Sequence, residues 1–253
     1  MTIAVISDIH ANLPALEAVL RDIEKRKADA ILCLGDIIGK GPSTRETVDL
    51  CRSSCALVLR GNWDWFVFQD YLNKTQGKPM EHSGVNEWYI QSAGEERMEY
   101  LGSLPHSTER ILGGKLTRLF HAHPLNFNRY FAESPVEQRL ELFEPPDASE
   151  NRGLSDIALY GDIHYAYMQI IETRHLASNR QLINVGSVGN PLDIPEASYV
   201  MLDGDGDGES AGVNFIRVPY DIDKAIELAK AAGSPHLEGY ISELRTAEYF
   251  RRG

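Results

Sequence analysis

The chain has 253 residues, 43% of them hydrophobic, enough to bury one large core or two small ones, and is read as one domain (1–253) with insertions. A formal net charge of -12 excludes a long nucleic acid as the main partner, because such binders need Lys and Arg to displace counterions from phosphates; a short phosphorylated ligand stays open. Asp8 and His10 interrupt the first apolar run, so no signal peptide is expected, no run approaches a membrane span, and three cysteines without a CxxC pair fit a cytoplasmic protein.

Ile3 to Ile6 is apolar and β-branched and runs straight into Ser7-Asp8, which reads as a strand end. Asn12, with Pro14 just inside, marks a helix start, and Leu13, Leu16, Val19, Leu20 and Ile23 recur at helical spacing up to Lys27. Ala30 to Leu34 is a second strand ending at Gly35-Asp36, Thr44 to Cys51 a short helix, and Ala56 to Leu59 a third strand leading into Arg60-Gly61-Asn62. Strands alternating with helices imply a parallel sheet.

From about 63 to 105 the sequence turns aromatic and helical, a cap-like insertion in which Trp63 stays close to its neighbour Asn62. Thr108 to His121 reads as a hairpin about Gly113-Gly114, Pro135 to Phe143 as a helix, and Asp147 to Gly153 as a polar surface loop. Ile157 to Tyr160 is a strand ending at Gly161-Asp162-Ile163-His164. The later strands, Tyr167 to Ile171, Gln181 to Val185, Tyr199 to Asp203 and Val213 to Val218, lie close enough to pair antiparallel as a second sheet. Asp203 to Gly208 matches the first half of a calcium loop, but Asn214 stands where a bidentate Glu is needed, so a hairpin turn is expected. Two surface helices within about 221–250 close the chain, and no chemistry is read there.

Asp8, His10, Asp36, Asn62, His121 and His164 form a spaced series, most of them at the ends of apolar runs. Carboxylate oxygens and imidazole nitrogens delivered from separate segments are what a pair of divalent ions requires, and strand ends of open α/β sheets are where ligands sit. Taken singly, a strand-end Asp is ordinarily a cap and a lone His a structural residue. His82, His106 and His175 are read as structural.

In order and spacing, Asp8-Ile9-His10, Gly35-Asp36-Ile37-Ile38-Gly39, Gly61-Asn62-Trp63-Asp64, His121-Ala122-His123 and Gly161-Asp162-Ile163-His164 resemble the five motifs of the calcineurin-like metallophosphoesterases, from Thr2 to about Asp203. Ser7 to Asn12 and Asn184 to Gly189 resemble the small bacterial branch, whose members are phosphodiesterases or phosphatases of small substrates. The Asn-Trp-Asp variant and the C-terminal extension are similar to a subgroup that cleaves dinucleoside polyphosphates asymmetrically. The resemblance implies an α/β fold, a four-layer αββα sandwich of two mixed sheets flanked by helices. It implies that Asp8, His10 and His164 hold one divalent ion, that Asn62, His121 and Asp162 hold another, and that Asp36 bridges the two. A hydroxide shared by the ions would then attack phosphorus in line. Small phosphate esters or anhydrides are the implied substrates, with Asn12 and Trp63 contacting them, and a homo-oligomer stays open.

Two positions depart from the family pattern. Trp63 stands where the family has His, and an indole cannot shuttle protons; His123 or a water would have to substitute as the catalytic acid, so leaving groups that are already stable anions are favoured. Asp162 stands where the family has a His ligand, which shifts preference toward harder ions, manganese first, with iron, magnesium and zinc as alternatives. The alternative from another class is a catalytically weak or inactive protein-binding scaffold of the same fold. A nuclease is disfavoured by charge, and a protein phosphatase by its need to protonate an alkoxide.

Overall fold

In the computed structural model, which describes residues 1–145, 153–172, 179–204 and 211–250, the first half alternates strand and helix. The elements are β1 (Thr2–Ile6), α1 (Leu13–Arg26), β2 (Ala30–Cys33), α2 (Thr44–Ser54) and β3 (Leu57–Val58). Three helices follow, α3 (Asn62–Thr75), α4 (Ser83–Ala93) and α5 (Glu95–Ser103), then the hairpin β4 (Ser107–Leu112) and β5 (Lys115–Phe120). The remainder is α6 (Val136–Glu141), β6 (Ile157–Tyr160), β7 (Ala166–Ile171), β8 (Arg180–Val185), β9 (Ala197–Gly204), β10 (Ala211–Val218), α7 (Ile222–Ala232) and α8 (Leu237–Thr246). Of the expected features, most of the 147–153 loop, His175 and the turn after Gly204 lie outside the described residues. No described helix is long and apolar enough to cross a membrane.

Two five-stranded mixed sheets result, ordered β10-β9-β1-β2-β3 and β4-β5-β6-β8-β7. The parallel strands β1, β2 and β3 are neighbours, as are β5, β6 and β8. Strand alternation assigns the faces. Ile3, Val5, Leu32 and Leu34 pack against Leu119, Leu159, Ile183 and Val185, so the two sheets bury their inner faces on each other. Ala4 and Ile6 point the other way, onto Leu16, Val19 and Ile23 of α1 and onto Val67, Met98 and Leu101 of the helical insertion. The outer face of the second sheet, with Ala158, Tyr160 and Leu182, is covered by Leu142 and Phe143 just after α6. Helix, sheet, sheet and helix are therefore stacked in that order.

The four later strands do pair antiparallel, but they divide between the sheets. β7 joins β8 in the second sheet, while β9 adds to β1 and carries β10 with it. The reason lies in β9, whose residues Ala197 to Leu202 are buried without alternation. A strand apolar on both faces belongs inside a covered sheet, not in a two-sided hairpin layer. β3 is also shorter than expected, two residues, and α2 longer, ending at Ser54.

Parallel neighbours end at the same edge, so the loops after β1, β2, β6 and β8 meet there. They touch closely. Gly189 donates its N–H to Asp8 O, and a Cβ at Gly189 would stand 1.7 Å from Ile9 O. Gly189→Ala is therefore expected to destabilise the fold by about 2 kcal/mol, roughly 4–8 °C in Tm for a chain of this size. Calorimetry checks it; an unchanged Tm would mean that this loop is not seated on Ile9.

Candidate metal centre

The first two loops are zipped together by their backbones: Asp8 N donates to Gly35 O, His10 N to Asp36 O and Ala11 N to Ile37 O. Gly35, at φ +110°, and Gly61 let the third loop press in, because a Cβ on Gly35 would lie 2.3 Å from Gly61 N and one on Gly61 2.1 Å from Asp36 Oδ1. Asp64, in the first turn of α3, locks this arrangement. Its Oδ1 accepts from Ile37 N (3.0 Å) and Ile38 N (3.2 Å), and its Oδ2 from Gly61 N (2.9 Å). The second sheet joins through Asp162 N, which donates to Asp8 Oδ2 at 3.0 Å. Asp8, His10, Ala11, Asp36, Lys40, Asp162 and His164 all hold left-handed φ between 47° and 65°. Non-glycine residues rarely do so, and such backbone clusters at functional sites.

The consequence is a buried convergence of ligand atoms. Asp8 Oδ1 lies 3.1 Å from His164 Nε2 and 3.8 Å from the Nε2 atoms of both His10 and His121. Asp36 Oδ2 lies 3.3 Å from His121 Nε2 and 3.7 Å from His10 Nε2. Two groups can each hold a cation, Asp8/His10/His164 and Asp8/Asp36/His121. Asp8 is common to both, whereas the sequence points to Asp36 as the shared carboxylate.

The chemistry of these atoms fits a divalent ion. His164 Nδ1 lies 2.5 Å from Asn190 O, a pure acceptor, so Nδ1 carries a proton and Nε2 is the nitrogen turned to the ligand cluster. That nitrogen faces His10 Nε2 at 3.0 Å and Asp8 Oδ1, which accepts no well-aligned hydrogen bond. The Asn62 amide atom that faces His121 Nε2 at 2.9 Å also lies 3.3 Å from Asp36 Oδ2 and 3.2 Å from Asp162 Oδ1. As oxygen it meets only acceptors, which a cation reconciles. The donors are oxygen and nitrogen, without sulfur, as manganese, iron, magnesium or zinc accept.

Burial opposes charge on Asp8, but His164 and His121 outweigh it and hold its carboxyl well below the usual range. Burial raises Asp36, and the carboxylates of Asp8 and Asp162 raise it further against the pull of His121. His10 is pushed well below its ordinary value by burial, with His164 and Lys40 adding. A neutral imidazole is what a metal ligand requires.

Other expected residues are placed differently. Asn12 is consumed by the fold, its Oδ1 accepting from Ala15 N at the start of α1 and its Nδ2 donating to Gly189 O, so neither polar atom is left to a substrate. His123, expected as a catalytic acid, accepts from Leu125 N through Nδ1 and turns Nε2 toward Glu141 at 3.8 Å, with its ring against Tyr130. It is outside both cation groups and does not line the adjoining cleft. Trp63 does line that cleft, its ring edge-on to His10 at 6.1 Å, and its backbone N–H donates to Asp36 Oδ1.

Sequence reasoning missed three charged residues here. Arg129 grips Asp162 with both arms, Nε to Oδ2 at 2.6 Å and Nη2 to Oδ1 at 2.8 Å, so the carboxylate expected to be a free ligand is already paired. Lys40 Nζ donates to Asn190 Oδ1 and to Glu243 Oε2, both at 2.7 Å. Glu243 belongs to α8, and with Tyr240 it lines the cleft, so the C-terminal helices are not chemically silent. A signal was present: Tyr240, Glu243 and Leu244 share one helical face, and a Glu on an apolar stripe is rarely buried without a partner.

Comparison with known proteins agrees with this geometry. A family model described as calcineurin-like phosphoesterase superfamily domain matches residues 1–207. The uncharacterized protein MJ0912 of Methanocaldococcus jannaschii is 34% identical over 239 residues, 89% of this chain and 90% of that protein. The crystal structure of a metallophosphoesterase from Sphaerobacter thermophilus superposes with a TM-score of 0.73 at 27% identity, over 98% of this chain and 100% of that one. Protein PH1004 from Pyrococcus horikoshii shares the fold with a TM-score of 0.74 at 22% identity, over 96% and 97% of the two chains.

Replacing Asp64 by Asn turns one acceptor into a donor facing a buried N–H. Asp64→Asn is expected to cost about 1–3 kcal/mol, seen as a lower urea midpoint at unchanged m value. An unshifted midpoint would remove Asp64 as the lock between the loops.

Proposed function

The chain belongs to the calcineurin-like phosphoesterase superfamily and is a metal-dependent phosphoester hydrolase, and from that footing we propose that it hydrolyses small phosphate esters or anhydrides, dinucleoside polyphosphates among them, at a two-ion centre. Asp8, His10 and His164 hold one ion, and Asp36, Asn62 and His121 the other, with Asp162 at its edge. The observation that carries this reading is the convergence of Asp8 Oδ1, Asp36 Oδ2 and three imidazole Nε2 atoms in one buried spot. Divalent ions, when bound, supply the positive charge that draws in a phosphoryl group and makes water a competent nucleophile. Manganese is the first choice, because the set mixes carboxylates, an amide and imidazoles without a thiolate.

The protein's own groups shape the rest. The backbone N–H of Trp63 fixes one oxygen of Asp36, which leaves the other to face the centre. Asn190 O fixes the tautomer of His164. Arg129 is held by Asp162 through Nε and Nη2 and lines the cleft, where its remaining N–H groups would serve phosphoryl oxygens of a bound substrate. Neither residue considered for the departing group is placed as its acid: Trp63 carries no labile proton and His123 is turned to Glu141. Leaving groups that depart as stable anions, such as a nucleoside phosphate, are therefore preferred over alkoxides. The free thiols Cys33, Cys51 and Cys55 fit a reducing cytoplasm.

With manganese, the protein is expected to hydrolyse a diadenosine polyphosphate faster than an alkyl phosphomonoester, and Asp36→Asn to lose at least about 100-fold in kcat. Activity absent from both proteins, or equal in both, would overturn the assignment. Trp63→His should supply the missing acid and raise kcat on the alkyl monoester by roughly tenfold or more, with little change on the anhydride. A uniform loss on both substrates would show that Trp63 acts through packing alone.

A further inference from the structure

Beyond the ligand cluster the site opens into a cleft of about 730 Å³, within the range of small-molecule sites. Its outer part is lined by chain lying after the 207 residues of the family match, including Tyr240, Glu243, Tyr249 and Phe250. These residues are tied to the catalytic loops. Glu243 Oε2 accepts from Lys40 on the loop after Asp36, and Glu243 Oε1 accepts from the N–H of Phe250. The Lys40 ammonium also stands 5.8 Å from the centre of the Tyr249 ring.

Exposed aromatic rings gather here. Among the described residues Phe66, Phe131, Tyr165, Phe215 and Tyr249 are the exposed aromatics, and three of them, Phe131 (45%), Tyr165 (44%) and Tyr249 (61%), line this one cleft. Rings left in water beside a polar centre mark a binding face rather than a core. Trp63 adds a fourth ring on the side of the catalytic residues. Flat apolar surfaces interleaved with Lys40, Arg129 and Glu243 suit a planar ring with polar edges, not an acyl chain.

We propose that the outer cleft is a subsite for the nucleobase of a nucleoside phosphate, and that the C-terminal segment 236–250 supplies this selectivity. The inference rests on the phosphoester reading above and assigns the part of the substrate that does not react. The ring stacks against Tyr249 and its neighbours, while its phosphate end reaches the free N–H groups of Arg129 and the ligand cluster.

The test is equilibrium binding to the full chain loaded with manganese, using adenosine 5′-phosphate and ribose 5-phosphate, which share the phosphate and differ by the base. Calorimetry should show the nucleotide binding roughly tenfold or more tighter. Tyr249→Ala should bring the two affinities to within about twofold, and Tyr249→Phe, which keeps the ring, should restore the difference. Equal affinities in the wild type, or a ratio unaltered in Tyr249→Ala, would overturn the subsite. Tyr249 is largely exposed, so its truncation spares the core. The ratio needs no turnover, so it separates failure of the subsite from failure of the hydrolase reading.

Discussion

Asp8 and Asp36 lie buried with carboxylate oxygens 3.8 and 3.3 Å from one imidazole nitrogen, that of His121. Two carboxylates in so small a volume repel each other and have lost most of their water, an arrangement that is costly unless positive charge is held between them. Part of that charge comes from His121, whose burial is outweighed by the carboxylates of Asp36 and Asp8 that raise its pKa to about 10, whereas His10 is pushed toward neutrality by burial. A bound divalent cation would take over and exceed that role, because it offsets more than one carboxylate at once. Much of the surrounding architecture keeps the carboxylates from moving apart.

The restraint is largely backbone. Parallel pairing of β1 with β2 brings their C-terminal loops side by side, and three N–H to O bonds fasten them. Seven of the ten left-handed non-glycine residues among the described ones belong to these loops and to the 162–164 turn. Each such conformation costs of order 1–3 kcal/mol, and the whole is sustained by the buried core between the sheets and by Asp64. Stability invested in the scaffold holds the ligands before any ion arrives, which is the meaning of preorganisation here.

What was legible in the sequence follows the same division. The apolar, β-branched runs of β1 and β2, the helical spacing of α1 and the Gly113-Gly114 hairpin are local patterns, and they placed Asp8, Asp36 and His121 at strand ends. Side-chain pairings between distant segments have no period to read. Lys40 and Glu243 are 203 residues apart, and Arg129 comes from a stretch with no regular element. Asn12 illustrates the converse: its position beside the motif suggested ligand contact, yet a residue that begins a helix already has work for its side chain. The distribution of β7 to β10 between two sheets likewise turns on burial of both faces of β9, which pairing alone does not express.

Arg129 links the charge of the centre to the choice of substrate. By taking both oxygens of Asp162 it neutralises the carboxylate that stands where an imidazole is expected, so the second group of ligands is less anionic than its residues imply. The same guanidinium lines the cleft and keeps a fixed positive charge there at any working pH, since burial is outweighed by its bonds to Asp162 and its pKa is raised. A permanent cation beside the ligand cluster adds attraction for negatively charged groups entering the cleft. A leaving group that departs as an anion, as the fragments of a phosphate chain do, needs no proton from the site. Arg129 and the 236–250 segment are far apart in the chain, yet both line the one cleft beside the ligand cluster.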